Sequence, residues 1–432
     1  MRRIIDKVLA TGEPLFAVIV LLFFMGAVFP VWRNPEHWFG DARASDSVAF
    51  IVQLSVYVLT FLLTIRVWRP VFAALRTNPL LTTLLILALL SVLWSAVPGF
   101  TLRRAVALMA TTAFGLYLGA RYAPSQQVRL FAYALGISVV LSLIFVAFFP
   151  RYGIESGPNE GAWRGVFIQK NTFGRYMVMA VVTLLCLPAR RWGRMAKIFC
   201  IAVALVLLAG AVSAGSYVMM AASFLLIFLY RLLYLPRKAL VPAGMVAAIL
   251  LGLGAVLLLM NSGALFDVLN RTSSLTGRVP LWNALFYTGA RHAWFGYGYV
   301  GFWAIENHNI WAMIGWTPLK AHNGYIDLWL ELGLAGLSIF VLYMITVARR
   351  CVQLVRAERT LESQWPVLML SVILLHNFVE SDLLITNGFM WIVFVAIAVS
   401  TQRLLESEAK TAPAVAQAQP QAQALDFIPC PQ

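Results

Sequence analysis

Residues 128–149 read VRLFAYALGISVVLSLIFVAFF, a run of 22 residues whose only charge is Arg129. A helix rises 1.5 Å per residue, so a stretch of this length crosses the ~30 Å hydrocarbon core of a bilayer. The run is not alone. Apolar stretches of similar character lie at roughly 14–32, 48–68, 79–97, 105–120, 173–189, 197–213, 216–234, 239–260, 324–348, 364–380 and 387–405. With 128–149 these make about twelve spans and predict an all-α polytopic membrane protein. Composition agrees: 61% of residues are hydrophobic and 12% charged, against about half and a quarter in soluble domains.

The formal net charge of +15 raises nucleic acid as a partner, and the placement of the charges excludes it. The cations sit in short clusters between apolar runs, where they orient a membrane protein. With the N-terminus inside, 21 of the 33 Lys and Arg residues fall in inner segments, so both termini are expected in the cytoplasm. The first run follows the basic head MRR and lacks a small-x-small cleavage site, which predicts a retained span. The four cysteines, Cys186, Cys200, Cys351 and Cys430, form no close pair. Neither a disulfide framework nor a metal site is expected from them.

This map divides the chain into a cytoplasmic N-terminus (1–13), nine helices (14–260), a long outer loop (261–323), three helices (324–405) and a tail (406–432). The Ala/Gln/Pro-rich tail from Thr411 is expected to be disordered. All five histidines and the cations Arg164, Lys170, Arg175, Arg278 and Lys320 fall on the outer side. Outer cations oppose the topology rule, so that face is the expected chemical face. The outer loop carries five tryptophans, which suit either an interfacial belt or stacking on sugar rings.

Three stretches carry the candidate chemistry. In WRGVFIQKNTFGRYM (163–177), Arg164, Lys170 and Arg175 surround a helix start that Asn171 or Thr172 can cap. Such a start is a ready anion site, although basic residues near span ends also snorkel to the interface. In SSLTGRVPLWNALF (273–286), Arg278 precedes Pro280 at the opening of a short amphipathic helix, where its guanidinium suits a phosphate or a loop carboxylate equally. The third is KAHNGYIDLWLELGLAGL (320–337). His322 and Asn323 stand at the mouth of a span whose first turns hold Asp327 and Glu331, four apart on one face. The helix dipole accounts for Asp327. Glu331 is deeper, where a charge is costly, and Gly333 and Gly336 suit close helix packing. The acids of ESD (380–382) lack the spacing of a metal site.

Four motifs in order, LSVLWSAVPGFTLRRA (90–105), GVFIQKNTFGR (165–175), LTGRVPLW (275–282) and HNGYIDLWLELGLAGL (322–337), resemble the O-antigen ligase and polymerase superfamily. The QKN sequence and chain length are most similar to the ExoQ-type exopolysaccharide polymerases. The resemblance implies a GT-C-like fold and a metal-independent glycosyltransferase, without cofactor, on the periplasmic side of the bacterial inner membrane. It implies an undecaprenyl-diphosphate-linked oligosaccharide as donor and other polysaccharide assembly proteins as partners. The acceptor is another lipid-linked repeat in a polymerase and the lipid A core in a ligase; a glycan flippase is the alternative from another class. By the same resemblance Arg164 and Arg278 hold the diphosphate, Lys170 assists, and His322 is the general base. Asn323, Asp327 and Glu331 support it. Gln169 stands where relatives often carry His, so any role of that ring is absent or replaced.

Overall fold

The computed structural model describes residues 2–27, 47–188, 191–232, 278–305, 310, 314–315 and 317–425. Among these, the chain forms α-helices and short 3-10 turns with one isolated antiparallel bridge, Ile154 to Trp163. In chain order the helices are α1 (Arg2–Phe24), α2 (Ser47–Arg66), α3 (Trp68–Thr77), α4 (Pro79–Leu90), α5 (Pro98–Arg121), α6 (Pro124–Phe148) and α7 (Pro150–Gly153). They continue as α8 (Lys170–Cys186), α9 (Arg191–Gly210), α10 (Ala214–Leu232), α11 (Arg278–Gly289), α12 (Gly301–Ala304), α13 (Gly324–Glu358), α14 (Leu361–His376) and α15 (Phe389–Leu425). Proline at the first position of α4, α5, α6 and α7 marks starts where no backbone N–H is lost to the helix.

The expected count of twelve spans is not what the helices show. Four described helices are long and apolar enough to cross a membrane: Pro124–Phe148, Gly193–Gly210, Gly324–Glu358 and Phe389–Ser407. A fifth counts if α2 and α3, bent by 90° at their junction, form one broken span. Apolar helices of 10–17 residues occupy Gly12–Phe24, Pro79–Leu93, Ala214–Tyr230 and Leu361–His376. Hydropathy locates apolar segments but not where a helix stops or bends, so twelve full spans are not shown among the described residues. The expected span 239–260 and most of the outer loop's first part lie outside the described residues. The protein is a multi-pass, all-helical membrane protein.

The centre of the bundle is α15, whose apolar stretch is buried from Phe389 to Val399. It lies against α5, where Gly115 and Gly119, one turn apart, face Val395 and Val399 closely enough that a side chain at either would collide. Small residues at this spacing let helix backbones approach in a membrane. Around this pair, α8 packs on α6, α9 and α14, and α13 packs on α4 and α14. At the C-terminal ends of α5, α13 and α15, Glu13 pairs with Arg121 at 3.0 Å and Arg66 at 3.4 Å. There Arg350 bonds Asn78 and Gln402 at 2.8 and 2.9 Å.

One expectation changes with the backbone. Gly333 adopts φ 66°, ψ −168° inside α13 and breaks it. The Leu334 and Ala335 N–H groups donate to Ala293 and Trp294 carbonyls at 2.8 and 3.0 Å, and Tyr297 N–H donates to Leu330 O at 2.8 Å. The loop 293–297 thus supplies the hydrogen bonds the helix gives up, which a membrane demands; what comes close at Gly333 is a loop, not a second helix. The 90–105 motif holds that loop. Ser91 Oγ accepts from Tyr299 N–H at 2.9 Å and Trp94 Nε1 donates to Phe295 O at 3.2 Å. In the tail, α15 runs through Leu425; alanine and glutamine are good helix formers once a helix is nucleated.

Candidate active site

The N-termini of α8, α13 and α15 and the C-terminus of α14 meet at one end of the bundle, bridged by the loop 377–388. Asn323 caps α13, its Oδ1 accepting from Tyr325 and Ile326 N–H at 3.0 and 3.2 Å. The residue before it, His322, sits at φ 51°, a left-handed conformation that non-glycine residues hold only when neighbours impose it. Here they do. Ala321 N–H donates to both Asp327 oxygens at 3.1 Å, and Ala321 O accepts from Trp282 Nε1 at 2.9 Å. On the other side Asn323 N–H donates to Ser381 Oγ at 3.1 Å, and Gly324 N–H to Asn377 O and Glu380 O at 2.8 and 3.1 Å.

The short helix α11 supports this rim as expected from its pattern. Leu281, Ala284 and Leu285 are buried against Phe302, Ala321, Ile326 and Leu330 in a small core separate from that of the bundle. Burying one leucine is worth about 1.5–3 kcal/mol, which fixes Arg278 and Trp282 to the mouth of α13. Trp303 Nε1 donates to Asp327 Oδ1 at 2.7 Å. Two tryptophans of the loop therefore direct their indole N–H groups into the rim itself, while Trp311 and Trp316 lie outside the described residues.

The charges converge on a residue that the sequence reading set aside. Glu380 Oε2 receives Lys320 Nζ at 2.6 Å and His322 Nδ1 at 3.2 Å, and its Oε1 lies 3.7 Å from Arg278 Nη2. Burial would push this carboxyl up; the His322 hydrogen bond and the Lys320 ammonium overcome it and hold the carboxyl well below its usual range. A carboxylate only accepts, so in this hydrogen bond His322 Nδ1 is the donor. Two residues on, the Asp382 carboxylate takes both Arg175 Nη1 and His376 Nε2, the latter at 2.7 Å. Burial again opposes ionisation, and Arg175 and His376 bring Asp382 down to about 2. The arrangement is an imidazole oriented by a carboxylate and flanked by two fixed cations. That set serves proton abstraction next to an anionic group.

Residues 199–341 match the O-Antigen ligase family model, Wzy_C. The Wzy_C segment covers roughly a third of the chain and includes Arg278, Lys320, His322, Asn323, Asp327 and Glu331. No curated protein matches the chain. Family enzymes are glycosyltransferases acting on lipid-linked glycans. The carboxylates Glu380 and Asp382 lie beyond the Wzy_C segment and are brought to it by the α14–α15 loop.

The candidates upstream of the Wzy_C segment are placed differently. Arg164 is buried, and its Nε and Nη2 donate to the Tyr152 and Arg151 carbonyls at 2.9 and 3.2 Å. Burial pushes its guanidinium down, with Glu155 opposing. Lys170 begins α8, and its N–H donates to Glu155 Oε1 at 2.5 Å. The cap of α8 is thus a distant carboxylate, where Asn171 or Thr172 was expected. Glu331 carries no ion pair among the described residues; Val300 N–H and Asp327 are its electrostatic neighbours. No group of three or more His, Cys, Asp or Glu is arranged for a metal among the described residues. Glu380 and Asp382 were missed because acids were weighed as metal ligands. Two acids in a short turn between apolar helices signalled instead that cations from elsewhere must reach them.

Proposed function

We propose that this protein is an inner-membrane glycosyltransferase that polymerises undecaprenyl-diphosphate-linked oligosaccharide repeats on the periplasmic face, in the manner of the ExoQ-type polymerases. The observation that carries this reading is His322 held by Glu380, with Arg278 and Lys320 on the same carboxylate. His322 Nε2 accepts the proton of the acceptor hydroxyl as that oxygen attacks the anomeric carbon. The lipid diphosphate leaves, its charge met by Arg278, Arg164 and Lys170. Asn323 and Asp327 keep the rim in place, and Glu331 anchors Val300 beneath it. The Wzy_C match favours a second acceptor, since its description names O-antigen ligase. Purified protein given lipid-linked repeat as donor separates the two: a polymerase extends a second lipid-linked repeat, a ligase glycosylates lipid A core. Product from neither acceptor overturns the reading.

In that assay Arg278→Ala is expected to abolish transfer in folded protein, and Arg278→Lys to recover little, because an ammonium cannot reproduce the bidentate fork. Arg164→Ala is expected to lose transfer and also folded yield, since two carbonyls of the 151–152 turn lose their donor. Full turnover in both alanine variants removes the diphosphate assignment.

The basic residues set both termini in the cytoplasm in this reading. A reporter fused directly after Leu405 is expected to be active only in its cytoplasmic form; periplasmic activity overturns the C-terminal end of this map.

A further inference from the structure

A cavity of about 420 Å³ opens beside the Asp382 cluster, between the end of α1, the start of α8 and the loop into α15. Its size falls in the ~300–1,000 Å³ range of small-molecule sites. Its walls are the buried aromatics Phe167, Tyr176 and Phe389, with ring centroids 4.9 and 5.4 Å apart along the series. Its polar groups are Arg175, Asp382, Gln53, Gln169, Thr172 and Asn387. The Arg175 side chain lines the cavity and is only 13% exposed, with its Nε fully enclosed.

The charge pattern identifies the kind of ligand. Arg175 is already neutralised by Asp382, which also holds His376, so an entering phosphate would face a carboxylate with no spare cation from this pair. Asn387 lines the cavity, and its Oδ1 accepts from the Tyr57 hydroxyl. Donors, a carboxylate and a hydroxyl above aromatic walls suit an uncharged polyhydroxyl ring. Glu380 and Asp382 are two residues apart, so their Cα atoms are within ~7 Å and one loop segment serves both the cavity and the His322 cluster.

We infer that this cavity binds an uncharged sugar unit of the glycan, with Asp382, Gln169, Thr172 and Asn387 reading its hydroxyls. The inference rests on the reading that the protein handles lipid-linked glycans, and it assigns that substrate's recognition to residues outside the charged rim. The test uses the full-length protein in lipid nanodiscs. Methyl glycosides of glucose, galactose, mannose and N-acetylglucosamine serve as probes, and binding is followed by saturation-transfer NMR. At least one glycoside is expected to bind. Asp382→Asn is expected to weaken it about tenfold, as loss of a charged hydrogen-bond partner does. The double variant Gln169→Ala, Thr172→Ala is expected to weaken it about threefold or more, and it decides the matter if Asp382→Asn does not fold, since both side chains lie at the cavity mouth. The readout is binding alone, so a failure of the general-base reading would not alter this result. Absence of binding by all four glycosides, equal binding by the variants, or displacement of the glycoside by inorganic pyrophosphate overturns the inference.

Discussion

His322→Ala is expected to lower glycosyl transfer by about 10²–10⁴-fold per folded molecule, the usual contribution of a positioned general base. A sugar hydroxyl is a weak nucleophile at neutral pH, and its proton must leave as the new bond forms. The His322 ring is placed for this by backbone that is bonded on both sides: Ala321 by Asp327 and Trp282, Asn323 by Ser381, Gly324 by Asn377 and Glu380. Those bonds do not involve the ring, so truncating it is expected to leave the fold and donor binding nearly intact. Asn323→Ala removes a helix cap and is expected to cost ~1 kcal/mol of stability with a milder loss of rate. Purified variants, compared for product per folded molecule and for retention of the lipid-linked donor, check both. Near-normal turnover by His322→Ala sinks the general-base assignment, and a loss of activity that merely tracks lost protein makes the residue structural.

Glu380→Ala is expected to have the second large effect, and on stability as much as rate. The Glu380 side chain is 9% exposed and faces Lys320, His322 and Arg278. Removing one partner of a buried ionic cluster leaves the others uncompensated, which costs on the order of 3–5 kcal/mol. Glu380→Gln keeps the shape but weakens the bond that orients the ring, so folded Glu380→Gln is expected to show a reduced kcat. Glu380→Asp is expected to recover part of it. Lys320→Met placed on Glu380→Gln is expected to restore stability by deleting the cation left without its counter-charge, a coupling of about 0.5–3 kcal/mol in a double-mutant cycle. Melting of the single and double variants, with kcat measured on the folded fraction, reads both effects. A Glu380→Ala protein that melts and turns over like the parent overturns the role given to this carboxylate.

Much of this site could be read along the chain, because the relevant signals are local. The cap at Asn323, the short helix begun near Arg278, and the apolar face carried by Leu281 and Leu285 follow from residues within a turn or two of each other. So does the membrane character, since ~20 apolar residues leave a chain few other places to be. The bend at Val67 and the break at Gly333 did not follow, because they are decided by what packs against them. At Gly333 the deciding partner is a loop some forty residues upstream.

What the sequence by itself determined was therefore the solvent, the helical class and the position of the His322 rim. What only the tertiary structure decided was which acid serves that rim. Asp327 and Glu331 are near His322 in sequence, yet Asp327 holds the Ala321 peptide and Glu331 lies next to Val300. The carboxylate on the ring is Glu380, 58 residues away. It arrives because α13 and α14 pack side by side and return the chain to the end where α13 began. Helical periodicity reports which residues share a face of one helix, but it carries no record of which turn will close over the helix end. A buried charge must find its partner in three dimensions, and in this protein that partner lies in the three-residue stretch ESD.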